Sequence, residues 1–305
     1  MDAPRDPEEA EAAGAPAVGE IAPETTVGPV HLTVADLDRS RRYYREAIGL
    51  AALAEGEGRA AFGVEAAAGP RELIVLHERP GAGPGRGYSG LYHFALLLPE
   101  RRDLARWLAH AARDRVPMTG LSDHFVSEAL YLQDPDDHGI EIYWDRPREA
   151  WEGRVAARMT TVALDVDGLM SELPDPAAEP FDGLPAGTVM GHVHLRVARI
   201  PETVRFYRDL LGFGLMAEYG AQAAFLSAGG YHHHIGVNTW ESAGVGVAPD
   251  GAAALRQATI VLPGPEARRA VVERLAAAGH PPEEGPEGPV VRDPSGIRLL
   301  LALPA

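Results

Sequence analysis

Residues 191–213 read GHVHLRVARIPETVRFYRDLLGF, and residues 28–50 read GPVHLTVADLDRSRRYYREAIGL. Laid over one another, the two stretches place His194 on His31, Tyr207 on Tyr44 and Gly212 on Gly49. Each opens with a short alternation of apolar and polar residues, as a strand does. Each then passes a turn and runs into a helix that ends near the glycine. Self-similarity of this kind marks a duplicated chain.

Each half divides again into a unit of strand, helix and further strands. The second unit of the first half begins at GLYHFALLLPERRDLARWLAHAARDRV (90–116), and that of the second half at ALRQATIVLPGPEARRAVVERLAAAGH (254–280). The expected fold is therefore α+β: four βαβββ units, paired into two open barrels with a funnel-shaped cavity in each. Along the chain this divides into a tail (1–26), a metal-binding domain (27–147), a Pro- and acid-rich linker (148–187) and a second, degenerate domain (188–305). The tail is rich in Pro, Ala and acid without a sustained apolar period and is expected to be disordered.

Composition narrows the function. With 28 Lys and Arg against 44 Asp and Glu, the net charge of -16 opposes general attraction to nucleic acid or an anionic membrane. No apolar run reaches membrane-spanning length and no signal peptide is evident, so cytoplasm is the expected location. The chain has no cysteine, which rules out disulfides and thiolate metal ligands. No dinucleotide or P-loop glycine pattern and no Gly-x-Ser-x-Gly elbow is present. A small-molecule ligand is the expected partner.

Glu141 sits between Ile140 and Ile142 in a segment that otherwise asks for apolar side chains. A buried carboxylate needs a cationic partner. His31 and His93 each lie in the first strand of a unit, and Glu141 in the last strand of the second. If the two units of the first half pair about a pseudo-twofold axis, these three side chains converge as metal ligands. Two histidines and one carboxylate leave open positions on the metal, the arrangement of non-haem Fe(II) oxygen chemistry. In the second half Gln257 stands opposite His93 and Arg298 opposite Glu141, so that only His194 remains of the three. That asymmetry predicts one functional and one degenerate site.

The duplicated units resemble the vicinal oxygen chelate superfamily, and the ordered set His31, His93, Glu141 looks like its extradiol ring-cleaving dioxygenases. The likeness is carried by GLYHFALLLP, SEALYLQDPDDHGIEIYWDRP and AGGYHHHIGVNTW, and is strongest to two-domain catechol 2,3-dioxygenase-like bacterial proteins. It implies Fe(II), with Mn(II) or another divalent metal as substitutes, and a small aromatic diol and O2 as substrates; a homo-oligomer is compatible with it. It also implies catalytic roles for His124 and Tyr131, with Tyr131 hydrogen-bonding the deprotonated substrate oxygen and His124 orienting substrate or moving a proton. The resemblance departs from the pattern at the acid-base histidine, where only His77 is on offer and comes a few residues late.

Two other function classes stay open at this point. A glyoxalase- or epimerase-type lyase or isomerase needs a fourth protein ligand, for which His77 is the candidate, and a metal-free binding protein needs none. DPDDHG (134–139) reads as a turn with His138 exposed. The triplet His232, His233 and His234 reads as a strand, with the outer two sharing a face. It would form the lining of a vestigial cavity or an interdomain contact, or, with His194, a second site.

Overall fold

The computed structural model describes residues 19–175 and 179–304. Four units of four strands each carry the architecture. The first holds β1 (Val30–Val34), β2 (Ala51–Gly56), β3 (Arg59–Ala66) and β4 (Gly69–Glu78). The second holds β5 (Gly90–Leu98), β6 (Gly120–Asp123), β7 (Ser127–Gln133) and β8 (Gly139–Asp145). The third holds β9 (Val189–Arg196), β10 (Gly214–Tyr219), β11 (Ala223–Ser227) and β12 (Ile235–Asn238), and the fourth β13 (Leu255–Val261), β14 (Glu283–Gly285), β15 (Gly288–Arg292) and β16 (Arg298–Ala302). A helix follows the first strand of each unit: α1 (Leu37–Arg42), α2 (Arg101–Asp114), α3 (Ile200–Arg205) and α4 (Pro265–Ala277). The first and third run on into π-helical turns at Tyr43–Ile48 and Phe206–Leu210. The expected α+β class and four-unit plan are what the strands show.

The pairing of the units is decided by the sheets. One sheet runs β14-β15-β16-β13-β1-β4-β3-β2 and the other β6-β7-β8-β5-β9-β12-β11-β10. The first unit therefore joins the fourth, through antiparallel β1 and β13, and the second joins the third, through antiparallel β5 and β9. Each sheet draws on both halves of the sequence. The halves are tied within themselves by their helices and turns instead. Tyr44 Oη donates to Asp134 Oδ2 at 2.9 Å, Trp107 Nε1 to the Ile48 carbonyl at 3.1 Å, and Tyr207 Oη to Asp293 Oδ2 at 3.4 Å. One apolar core, including Leu32, Tyr44, Trp107, Ile140, Val193, Phe213 and Leu262, runs through all four units.

Residues 1–18 of the expected tail lie outside the described residues, but 19–26 are packed. Ile21 is buried and its amide donates to the Gly212 carbonyl, and Thr26–Val27 pairs with β13. No helix among the described residues is long and apolar enough to cross a membrane.

The DPDDHG turn forms, with His138 buried instead of exposed. Asp134 accepts from the Asp136 and His138 amides and from His138 Nδ1 at 2.9 Å, and Asp136 pairs with Arg39. The equivalent Asp293 accepts the Ser295 and Ile297 amides, with no cation in ion-pair distance among the described residues. Burial pushes its carboxyl up to about 6. Its folded-state proton affinity exceeds that of an unfolded carboxyl near 3.9, so the stability it adds is full below about pH 4 and is lost as pH rises through 6. Asp293→Asn should remove that loss. The stability difference, variant minus wild type, is expected to rise by roughly 2–3 kcal/mol between pH 4 and pH 7.5 in urea titrations; a difference independent of pH would contradict it.

Candidate metal centre

The second sheet curls around a cavity of about 560 Å³. Its floor is built from strand register. On β8, Ile140 and Ile142 enter the main core, and alternation turns Glu141 to the concave face. Glu141 stands opposite Ala95 of β5 and Tyr131 of β7, and His192 of β9 stands opposite Ala95 from the other side. Ala95 is small, so the two long side chains close over it, and His93 joins them from two residues along the same strand. A register irregularity at Gly191 re-aims β9 here. A side chain at Gly191 would overlap the Tyr143 hydroxyl, leaving its Cβ 1.8 Å from that oxygen.

The outcome is a group of His93, Glu141 and His192 whose ligand atoms lie within 4.8 Å of one another. Glu141 Oε2 is 3.0 Å from His93 Nε2 and 3.1 Å from His192 Nε2, and all three residues are buried. His93 Nε2 is misaligned for a hydrogen bond, and His194 Nε2, from the residue facing His93, is buried with no hydrogen-bond partner among the described residues. Burial alone would raise the Glu141 carboxyl, but His192 and His93 outweigh it and hold it well below the usual range. His192 is lowered by burial against the opposing pull of Glu141, and His194 far more so by burial and then His93 and His192. A buried carboxylate with two imidazole Nε2 atoms converging on it is the donor set a divalent transition metal needs.

His31 is not brought to this group. It sits on β1 in the other sheet, 3.2 Å from His77 through Nδ1 and Nε2, and lines a different cavity. The convergence of His31 with His93 and Glu141 required the first unit to pair with the second, and it pairs with the fourth. His77 goes with it and lies away from Glu141.

His124 and Tyr131 do meet at the cavity. His124 Nδ1 is 2.8 Å from the Thr160 carbonyl, which can only accept, so Nε2 is the acceptor for the Tyr131 hydroxyl at 2.8 Å. Burial, then the charge on Glu141, push the Tyr131 phenol well above its ordinary value. The 148–187 segment thus does more than link, since Thr160 holds His124 while Met159 and Thr161 line the cavity.

The histidine triplet precedes β12 in a loop instead of forming part of a strand. His233 lines the metal cavity, its ring centroid 4.1 Å from that of His192. His232 stands behind it, with Nε2 donating to Asp145 Oδ1 at 2.8 Å and Nδ1 2.9 Å from His233 Nδ1. With His233 Nδ1–H donating to His232 Nδ1, His233 Nε2 is left as the bare nitrogen. Burial, then His192 and His232, hold His233 well below its ordinary value, so it is neutral.

His192 was the residue sequence reasoning passed over, and His233 was noticed only as part of the triplet, apart from the site around Glu141. Comparing halves highlights what they share, His31 and His194, whereas His192 faces Pro29 in the repeat. The signal was the difference between the two copies.

Residues 26–142 and 189–301 each match the Glyoxalase/Bleomycin resistance protein/Dioxygenase superfamily. A Bacillus subtilis (strain 168) protein named catechol-2,3-dioxygenase is 42% identical over 288 residues, covering 92% of this chain and 98% of that protein. Glyoxalase I from Zea mays has a similar fold, with a TM-score of 0.54 at 17% identity over 90% of this chain and 91% of that one. So does a Bacillus subtilis structure assigned provisionally as a dioxygenase, with a TM-score of 0.60 at 18% identity, covering 91% and 85%. With both halves matched and a full-length relative at this identity, the chain belongs to the glyoxalase, bleomycin resistance protein and dioxygenase superfamily.

Proposed function

We propose that the protein is an Fe(II)-dependent extradiol dioxygenase that opens the ring of a catechol-type aromatic with both atoms of O2, and that His93, Glu141 and His192 hold the metal. The observation that carries this reading is the two-histidine, one-carboxylate group at the floor of a cavity of about 560 Å³. The 42% identical relative named catechol-2,3-dioxygenase supports it. Three protein ligands leave room on the metal for a diol and dioxygen, and bound iron supplies the redox chemistry that activates both. A glyoxalase-type reading needed His77 as a fourth ligand, and His77 lies in the other cavity.

The chain's own residues then have distinct tasks. Tyr131, whose proton is held tightly, donates a hydrogen bond to a substrate oxygen or keeps the one to His124. His233 offers its bare Nε2 to a substrate hydroxyl proton, while Asp145 and His232 fix its tautomer from behind. Phe225 and Trp240 give the cavity aromatic walls suited to a ring.

Two measurements test the reading. After anaerobic loading, native mass spectrometry should show one iron per chain, and catechols should then drive oxygen uptake with a coloured ring-opened product. A chain that retains no iron would remove the proposal. His233→Gln should keep the iron but lower kcat by roughly 10²–10⁴-fold, the range for losing a positioned acid-base group. An unchanged kcat would remove His233 from that role.

A further inference from the structure

The other sheet encloses a second cavity, of about 530 Å³, similar in size to the first. The four-unit symmetry gives each metal-site residue a counterpart there. Gln257 replaces His93, Arg298 replaces Glu141 and Pro29 replaces His192. Gln257 is opposite His31 across β1 and β13, as His194 is opposite His93 across β9 and β5. The donor set for a metal is gone, and at the position of the buried carboxylate the charge is inverted.

The cavity has not simply filled in. Arg59, Arg256 and Arg298 line it, and none of the three has a carboxylate within ion-pair distance among the described residues. Arg79 and Arg292 add to the same wall, against Glu287 and Asp250 as its acidic groups. His31 and His77 stack beside them. Burial, and then the charges of Arg59 and Arg256 for His31 and of Arg256 and the neighbouring His31 for His77, push both imidazoles down to about 4, so both are neutral hydrogen-bonding groups. Unpaired guanidiniums around a cavity of this size are complementary to the planar, doubly accepting oxygens of a carboxylate or a phosphoryl group.

We propose that this second cavity is a binding site for a small oxyanion, a carboxylate or phosphoryl compound, gripped by Arg298 with Arg59 and Arg256. The duplication has then produced one cation site and one anion site from the same scaffold, by inverting charge at one strand position. The inference does not depend on the reaction at the metal centre.

Isothermal titration calorimetry at constant ionic strength in chloride, with benzoate and inorganic phosphate as separate probes, tests it and distinguishes the two chemistries. Saturable binding of one probe, one per chain, is expected. Arg298→Gln should weaken it at least about tenfold, as losing a charged hydrogen-bonding partner does. Arg59→Gln, at an exposed strand position, should also weaken it and keeps the test alive if the first variant misfolds. Glu141→Ala should bind the probe as wild type does. Absence of saturable binding of either probe, wild-type affinity in both arginine variants, or loss of binding in Glu141→Ala would each overturn the proposal.

Discussion

Glu141→Ala should lose at least roughly 100-fold in metal affinity, whereas His31→Ala should retain the wild-type value. Outer-shell partners alone cost 10–100-fold when removed, so a direct ligand is expected to cost no less than the upper end. Glu141 is the one carboxylate of the group, and it lies within 3.1 Å of both ring nitrogens that complete it. His192→Ala should behave like Glu141→Ala. The contrast with His31 carries the weight of the test, because a sheet joining the first and second units would make His31 the ligand instead. Metal titrations of the three variants settle it: loss in His31→Ala with retention in His192→Ala would refute the site described above.

The second large effect is expected from a residue with no side chain. Gly139→Ala would put a methyl 2.0 Å from the Tyr92 carbonyl oxygen, a backbone atom that cannot swing away. The only relief is to separate β8 from β5, and Gly139 is paired with His93 there. Overpacking costs 1–3 kcal/mol and sometimes more, and contact with backbone puts this case near roughly 3 kcal/mol. The displacement also draws Glu141 away from His93, so metal affinity should fall with stability. Denaturant titrations of the metal-free variant and iron titrations of whatever remains folded check both parts. A variant as stable as wild type that binds iron normally would show that the strands have slack the contact denies.

Much of the site was legible one residue at a time. Glu141 announced itself as a carboxylate between two isoleucines, and strand alternation then required it to face away from the core they enter. His93 was recognisable by its place in a first strand, and His124 and Tyr131 only through the family resemblance. His138 and the histidine triplet were misjudged for a shared reason. A turn sequence does not say what packs on it, and Asp134 draws His138 inward because Tyr44 of another unit seals the turn.

The sequence by itself determined the α+β class and the plan of four repeated units, because strand and helix periods and the internal repeat are local properties of the chain. It also singled out Glu141 and His93 of the second unit as candidates to converge on one concave sheet face. Which unit completes the site was decided by the tertiary structure alone. Every unit offers the same first strand as a pairing edge, so local pattern cannot distinguish the first unit from the third as partner for the second. The choice rests on contacts between distant residues. The pairing of β5 with β9 brings His192 across Ala95 to Glu141, and the pairing of β1 with β13 leaves His31 facing Gln257 among arginines.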